Sequence, residues 1–191
     1  MLSAALLSAG VVAIAEIGDK TQLLAIVLAA HFRRPLTIIG GILTATMANH
    51  AAASLAGATL SGLLQGLWMT LALGVSFWII AGWTLVTDKF DDAAAQPSSF
   101  GPFTTTVIAF FLAEIGDKTQ VATIALAAKY QSMLAVTTGT TLGMMIANVP
   151  AVLGGSTLAT RLPLKWIRIT AALVFASLGV AILLKMVSAP G

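Results

Sequence analysis

The sequence contains no cysteine among its 191 residues. A disulfide framework, an iron–sulfur cluster and a thiolate metal site are therefore all excluded. Charged residues are also scarce, because Asp, Glu, Lys and Arg make up 9% of the chain, against roughly 25% in a soluble domain. So few charges cannot cover a water-facing surface, and the hydrophobic fraction of 58% indicates a lipid bilayer instead. These absences exclude soluble enzymes, nucleic-acid-binding proteins and disordered proteins.

Apolar runs divide the chain into six segments that are long enough to cross a membrane. A membrane-spanning helix needs about 20 mostly apolar residues, and the run from Pro35 to Thr87 has room for two of them without any Asp, Glu, Lys or Arg. The sequence predicts an all-α polytopic membrane protein. Its six transmembrane helices are expected at about 2–30, 36–60, 67–87, 102–128, 133–159 and 165–187.

One hydrophilic stretch separates the third segment from the fourth. It carries Asp88, Asp91 and Asp92 together with Ser, Pro and Gly, a composition typical of a solvated loop, and we assign these acids no chemistry. The predicted domains are a first three-helix repeat at 1–87, a hydrophilic cytoplasmic linker at 88–101 and a second three-helix repeat at 102–191.

Lysine and arginine predict the orientation in the membrane. Cytoplasmic loops are enriched in these residues, so the loops after the first, third and fifth segments are expected in the cytoplasm. Both termini are then expected on the non-cytoplasmic side of the cell (inner) membrane. The predicted cytoplasmic cations are Arg33, Arg34, Lys89, Arg161, Lys165 and Arg168, and the opposite side holds Lys129 and Lys185.

A sequence repeat divides the chain in half. The heptapeptide EIGDKTQ at 16–22 recurs unchanged at 114–120. Farther along, Asn49 matches Asn148 and Trp68 matches Trp166, so the chain is two copies of a three-helix unit. After three crossings the second copy enters from the opposite side of the membrane, and inverted repeats around a central site are a common architecture of secondary transporters.

Each heptapeptide places ionisable side chains near the middle of a predicted membrane helix. On a continuous helix its Glu, Asp and Lys would share one face, whereas its Thr would point elsewhere and bond the preceding turn. Its Gly permits either close helix approach or a local break. These residues are Glu16, Gly18, Asp19, Lys20 and Thr21 in the first motif, and Glu114, Gly116, Asp117, Lys118 and Thr119 in the second.

Burying these charges in a membrane demands compensation. One ionised side chain at the bilayer centre costs about 2.5–3.5 kcal/mol, so the four acids and two lysines would cost on the order of 15–20 kcal/mol if unpaired. They must face inward, pair with one another or meet a ligand. Intrahelical Glu–Lys pairs that stabilise the packing between helices are one alternative, but each would leave an aspartate uncompensated.

The charge balance of the two motifs favours a divalent cation. If inversion brings them together at the midplane, four carboxylates and two ammonium groups sum to −2, and protons could replace the cation when it leaves. Carboxylate and amide oxygens suit Mg, Ca and Mn. Asn49 and Asn148 lie in matching places near helix centres, where interhelical hydrogen bonding and direct ligation are equal alternatives.

The motif Glu-x-Gly-Asp-Lys-Thr, present at 16–21 and 114–119, resembles the signature of the GDT family of manganese/calcium transporters. The chain is similar to a short bacterial-type member, related to the Golgi cation/proton exchanger linked to glycosylation defects, over essentially its whole length. The resemblance implies export of Mn²⁺, with Ca²⁺ as a relative's substrate, in exchange for protons. It also implies that the acidic pair of each motif forms the cation site.

We therefore expect a secondary transporter, not an enzyme, that works by alternating access at a midplane site. Its expected partners are the transported Mn²⁺ or Ca²⁺, protons and the lipid bilayer, with no nucleic acid and no cofactor. The expected metal ligands are Glu16, Asp19, Glu114 and Asp117, assisted by Gln22, Gln120, Asn49 and Asn148, while Lys20 and Lys118 set the electrostatics.

Two other functions are considered. A proton-coupled exporter of a small organic solute would need a roomy pocket with apolar walls, and its transport would be indifferent to metal. An intramembrane aspartyl protease would use the two aspartates as a dyad that shares one proton. The lysine after each aspartate and the glutamate before it argue against the protease.

Overall fold

The computed structural model describes residues 1–64, 66–86, 100–155 and 164–188, without the side chains of 185–188. The chain within these ranges is helical and has no strand. Most of the predicted linker at 88–101 lies outside the described residues. The helices are α1 (Leu2–Glu16), α2 (Lys20–Phe32), α3 (Pro35–Leu63), α4 (Gly66–Leu85), α5 (Pro102–Glu114), α6 (Lys118–Tyr130), α7 (Met133–Gly154) and α8 (Leu164–Ser188).

The prediction of continuous helices is wrong at the first and fourth segments, each of which breaks inside its motif. The axes of α1 and α2 differ by 73°. Gly18 lies at φ +81° and Gly116 at φ +74°, a backbone region that glycine adopts without strain and other residues rarely adopt. Of the two readings of the motif glycine, the local break is therefore the one observed.

The two halves repeat in their backbone as well as in their sequence. Both α2 and α6 end in a residue with left-handed backbone, Arg33 at φ 52° and Gln131 at φ 50°. The N–H of each donates to the carbonyl of an alanine four residues earlier. Because these caps stand at equivalent positions, the same local fold closes each broken segment.

The helices differ in whether they are long and apolar enough to cross a membrane. The helices α3, α4, α7 and α8 are each long and apolar enough to cross a bilayer, and α1 with α2 makes a fifth candidate if the bent pair counts as one span. The apolar helix α5 has only 13 residues. The described residues thus form a multi-pass protein with four to five candidate spans, and the predicted span at 102–128 is divided between α5 and α6.

Two apolar clusters hold the helices together. One joins α1, α4, α6, α7 and α8, and the other joins α2, α3, α5 and α7. In the first cluster, the rings of Phe77 and Phe175 stack with centroids 6.3 Å apart. The same sequence offset that relates Trp68 to Trp166 relates Phe77 to Phe175, so α4 and α8 meet at repeated residues.

Glycines allow α1 to lie directly against α7. A side chain added at Gly139 would collide with the backbone of Ala5, and one added at Gly143 would collide with the backbone of Ala9. This close approach sets the position of α1, and therefore of the motif at its end, relative to α7.

We predict that Gly139→Ala destabilises the protein, because the added methyl group meets backbone atoms that cannot rotate away. Overpacking of this kind costs about 1–3 kcal/mol, which thermal unfolding in detergent would detect as a lower Tm. Gly10→Ala is the matched control on α1, since its methyl group would meet no atom of the described residues within 4 Å. Equal melting temperatures for the two variants would contradict this account of the α1–α7 contact.

Candidate metal centre

Each motif folds into the same short connection between two helices. The Gly18 N–H donates to Gln22 Oε1 at 2.9 Å, and the Gly116 N–H donates to Gln120 Oε1 at 2.8 Å. Asp19 and Asp117 are the N-cap residues of α2 and α6. Each break therefore brings the C-terminus of one helix and the N-terminus of the next to one point, where carbonyl and N–H groups lack helical partners.

The threonines of the motifs bridge the breaks. Thr21 Oγ1 donates to Glu16 Oε2 at 2.7 Å, and Thr119 Oγ1 donates to Glu114 Oε2 at 3.1 Å. The prediction that they bond the preceding turn of their own helix is wrong. The prediction that Glu, Asp and Lys share one helical face is also wrong, because the chain leaves the helix between Glu and Asp.

The two motifs meet through reciprocal ion pairs. Lys20 Nζ lies 2.9 Å from Asp117 Oδ1, and Lys118 Nζ pairs with Asp19 Oδ1. Each lysine thus compensates the aspartate of the other half of the chain, in place of the intrahelical Glu–Lys pairs considered above. The two pairs differ in exposure, since the Lys118 side chain is 4% exposed and the Lys20 side chain 27%.

Three buried carboxylates from both halves form a cluster. One oxygen each from Glu16, Asp19 and Asp117 lies within 4.8 Å of the others. Oxygen ligands on opposite sides of a calcium ion are about 4.6–5.2 Å apart, so one oxygen-liganded cation fits among them. Glu114 is fully buried but lies outside this group.

The glutamate oxygens Glu16 Oε1 and Glu114 Oε1 have no hydrogen-bond partner among the described residues. A buried acceptor without a partner is costly, and a bound cation or proton would satisfy it. The second oxygen of each glutamate is already held by a motif threonine, so both side chains are oriented by the fold before any ligand arrives.

Three of the four predicted assisting residues are engaged in hydrogen bonds that link helices. Gln22 Nε2 donates to the Ala147 carbonyl at 3.0 Å, and Gln120 Nε2 donates to Asn49 Oδ1. The Asn49 amide in turn donates to the Phe111 carbonyl at 3.2 Å. For Asn49, therefore, the interhelical hydrogen bond is the arrangement observed.

The fourth assisting residue, Asn148, differs from its counterpart. Its amide donates to the Met144 carbonyl of its own helix at 3.1 Å. Its Oδ1 atom is buried and has no partner among the described residues. Of the two asparagines, Asn148 is thus the one whose carbonyl oxygen is available to a ligand.

Sequence reasoning missed the main-chain contributions. The carbonyls of Ala147 and Phe111 carry no side-chain signal, so only the fold reveals them. His50 is fully buried on α3, and neither of its ring nitrogens has a hydrogen-bond partner among the described residues. Thr46 and Ser54, one helical turn to either side, are buried in the same way.

Comparison with known proteins identifies the family of the chain. The family model described as "Divalent cation/proton antiporter GDT1" matches residues 4–92 and 102–190. The chain belongs to the GDT1 family. That one model matches both halves also supports the repeat that the heptapeptide indicates.

Two named proteins are similar to this GDT1-family chain. A Vibrio cholerae protein named "Putative manganese exporter" is 47% identical over 182 residues, which cover 95% of this chain and 90% of that protein. A GDT1-like protein of Synechocystis sp. is 28% identical over 193 residues, which cover 86% of this chain and 88% of the relative. No solved structure matches the chain at a comparable level of significance.

We predict that Lys118→Met destabilises the protein more than Lys20→Met does. Removing one partner of a buried ion pair costs about 3–5 kcal/mol, whereas Lys20 is 27% exposed, so water already screens part of its attraction to Asp117. Thermal unfolding in detergent without metal measures both losses.

The same experiment includes a double-mutant cycle of Asp19→Asn and Lys118→Met. Residues in direct contact couple by about 0.5–3 kcal/mol, so the double variant is expected to lose less than the sum of the single losses. Strictly additive losses, or equal losses at the two lysines, would contradict the reciprocal pairing described here.

Proposed function

We propose that this GDT1-family protein exports Mn²⁺ from the cytoplasm in exchange for protons. The observation that carries the proposal is the cluster of Glu16, Asp19 and Asp117, three buried carboxylates from two halves of the chain, with oxygens within 4.8 Å of one another. Mn²⁺ is a hard cation that prefers such oxygen ligands. The name of the Vibrio cholerae relative favours manganese, and Ca²⁺ is the second cation to test.

Charge balance gives the proposal its mechanism. Both motifs together carry four carboxylates and two lysines, a net charge of −2 that one divalent cation neutralises. When the cation leaves, uncompensated carboxylates inside a membrane are costly, so protons take its place. Alternate occupancy by one cation or by protons is the physical basis of cation/proton exchange.

The residues divide into ligands and supports. Glu16, Asp19, Glu114 and Asp117 are the proposed ligands, joined by the Asn148 carbonyl oxygen. Gln22, Gln120 and Asn49 support the centre, because their polar atoms already hold the breaks and the neighbouring helices. Lys20 and Lys118 lower the net negative charge, so that a single divalent cation suffices.

Alternating access requires the two halves to move against each other. We propose that the broken pairs α1–α2 and α5–α6 each form one span, which gives six spans in two inverted repeats with both termini outside the cytoplasm. The reciprocal ion pairs and the stacking of Phe77 on Phe175 support a two-fold relation between the halves. Rocking about that axis would expose the site to each side in turn.

The geometry disfavours the two alternatives. The cavity beside Asp19 and Lys118 has a volume of about 10 Å³, room for about one water molecule and far too little for an organic solute. In an aspartyl protease the two acids share a proton, whereas here each aspartate is paired with a lysine.

We predict that Asp19→Asn and Asp117→Asn each abolish Mn²⁺ transport while the folded protein remains recoverable. An amide keeps the size of the side chain but removes the negative charge that binds the cation. Uptake by reconstituted vesicles, followed with a manganese-sensitive dye, measures the effect. Asp91→Asn in the hydrophilic linker is the control that retains transport, and full transport by both site variants would refute the assignment.

We also predict that a pH gradient alone drives Mn²⁺ into vesicles against its own concentration gradient. Protons leaving an acidic vesicle interior would exchange for entering Mn²⁺, so the interior becomes more alkaline as the metal accumulates. An ionophore that collapses the pH gradient stops accumulation. Metal uptake that is indifferent to the gradient, or proton release that needs no Mn²⁺ or Ca²⁺, would exclude cation/proton exchange.

A further inference from the structure

The two motifs have identical sequences, but their surroundings differ. A side chain added at Gly18 would collide with Leu164 at the start of α8, whereas one added at Gly116, which is exposed, would meet no atom of the described residues within 4 Å. The first motif is therefore covered by an apolar side chain. The second is open at the same point, and its ion pair contains the more exposed lysine, Lys20.

The cover belongs to one face of α8. Leu164, Arg168 and Ala171 follow one another at helical spacing on the same side of the helix. Arg168 and Ala171 line the small cavity beside Asp19 and Lys118. An apolar cap and a guanidinium group thus stand together at the first-motif side of the centre.

The other half of the chain lacks both groups at the equivalent places. The offset that relates Trp68 to Trp166 places Gly66 opposite Leu164 and Thr70 opposite Arg168. Gly66 is exposed and has no side chain with which to cover the second motif. Thr70 bonds the Gly66 carbonyl of its own helix and carries no charge.

We propose that Leu164 and Arg168 form a gate on the first-motif side of the cation site, with no equivalent at Gly66 and Thr70, the corresponding positions of the first half. The inference rests on the proposed transport function and adds a specific asymmetry to it. Leu164 blocks the approach to Asp19, and the positive charge of Arg168 repels a cation that reaches the cavity. In the structure Leu164 covers the first motif, whereas Gly116 of the second motif is exposed and Lys20 of its ion pair is 27% exposed.

The natural absence of cysteine allows a direct test, because one introduced cysteine is the only thiol in the chain. Thr84→Cys places it in the wall of the cavity, where Thr84 is 3% exposed. Labelling of purified protein with a small cationic thiosulfonate reagent is then compared with and without Leu164→Ala. Labelling requires neither transport nor metal, so its outcome is independent of the proposed function.

We expect Leu164→Ala to raise the labelling rate of Thr84→Cys at least tenfold. Leu173→Ala is the matched control, since Leu173 lies on the same helix and is 65% exposed on its outer side, and it should leave the rate unchanged. If Leu164→Ala does not fold, Leu164→Val is used, for which a severalfold increase is expected. Equal rates with Leu164 and with the folded smaller residue would overturn the gate.

The role of Arg168 has its own readout. In the Leu164→Ala background, we expect a cationic reagent to label Thr84→Cys more slowly than an anionic reagent of similar size. Arg168→Gln should raise the cationic-to-anionic rate ratio at least threefold. An unchanged rate ratio would show that Arg168 has no part in the gate. A tenfold effect of Leu164→Ala would still support the role of Leu164 as the apolar cap.

Discussion

The structure depends on two ion pairs that each join one half of the chain to the other. Each lysine of the repeated motif compensates the aspartate of the other motif, so neither half can bury its own charges alone. In a bilayer such charges are among the most costly groups to leave uncompensated. Their pairing therefore explains why the two broken segments come together.

The first helix break brings the glutamate and the aspartate of its motif into the same centre as the ion pairs. Because α1 ends at Glu16 and α2 starts at Lys20, the glutamate and the aspartate of the motif leave different helix ends and can converge on one point. The motif threonine then fixes the glutamate from across the break. A continuous helix would have held these side chains on its surface at a fixed spacing.

Much of this was predictable from the sequence. The scarcity of charge indicated a membrane protein, the repeat indicated two related halves, and the position of the acids inside apolar runs indicated the candidate site. The helix break was left open, because Gly18 fits a close helix contact as well as a break. The pairing between halves could not be predicted, since spacing along one helix describes only partners within it. The asymmetry at Leu164 was hidden for another reason: the motifs are identical, and the difference lies on a helix distant in sequence.

The reciprocal pairing also bears on how such a chain can evolve. A substitution that altered the lysine of one motif would disturb the aspartate of the other, so the two copies are not free to diverge independently. Residues outside the reciprocal ion pairs, such as Gly66 and Leu164, face no such restriction. A duplicated chain can therefore retain seven identical residues in both halves while the surrounding helices diverge. Each motif limits the substitutions that the other can accept.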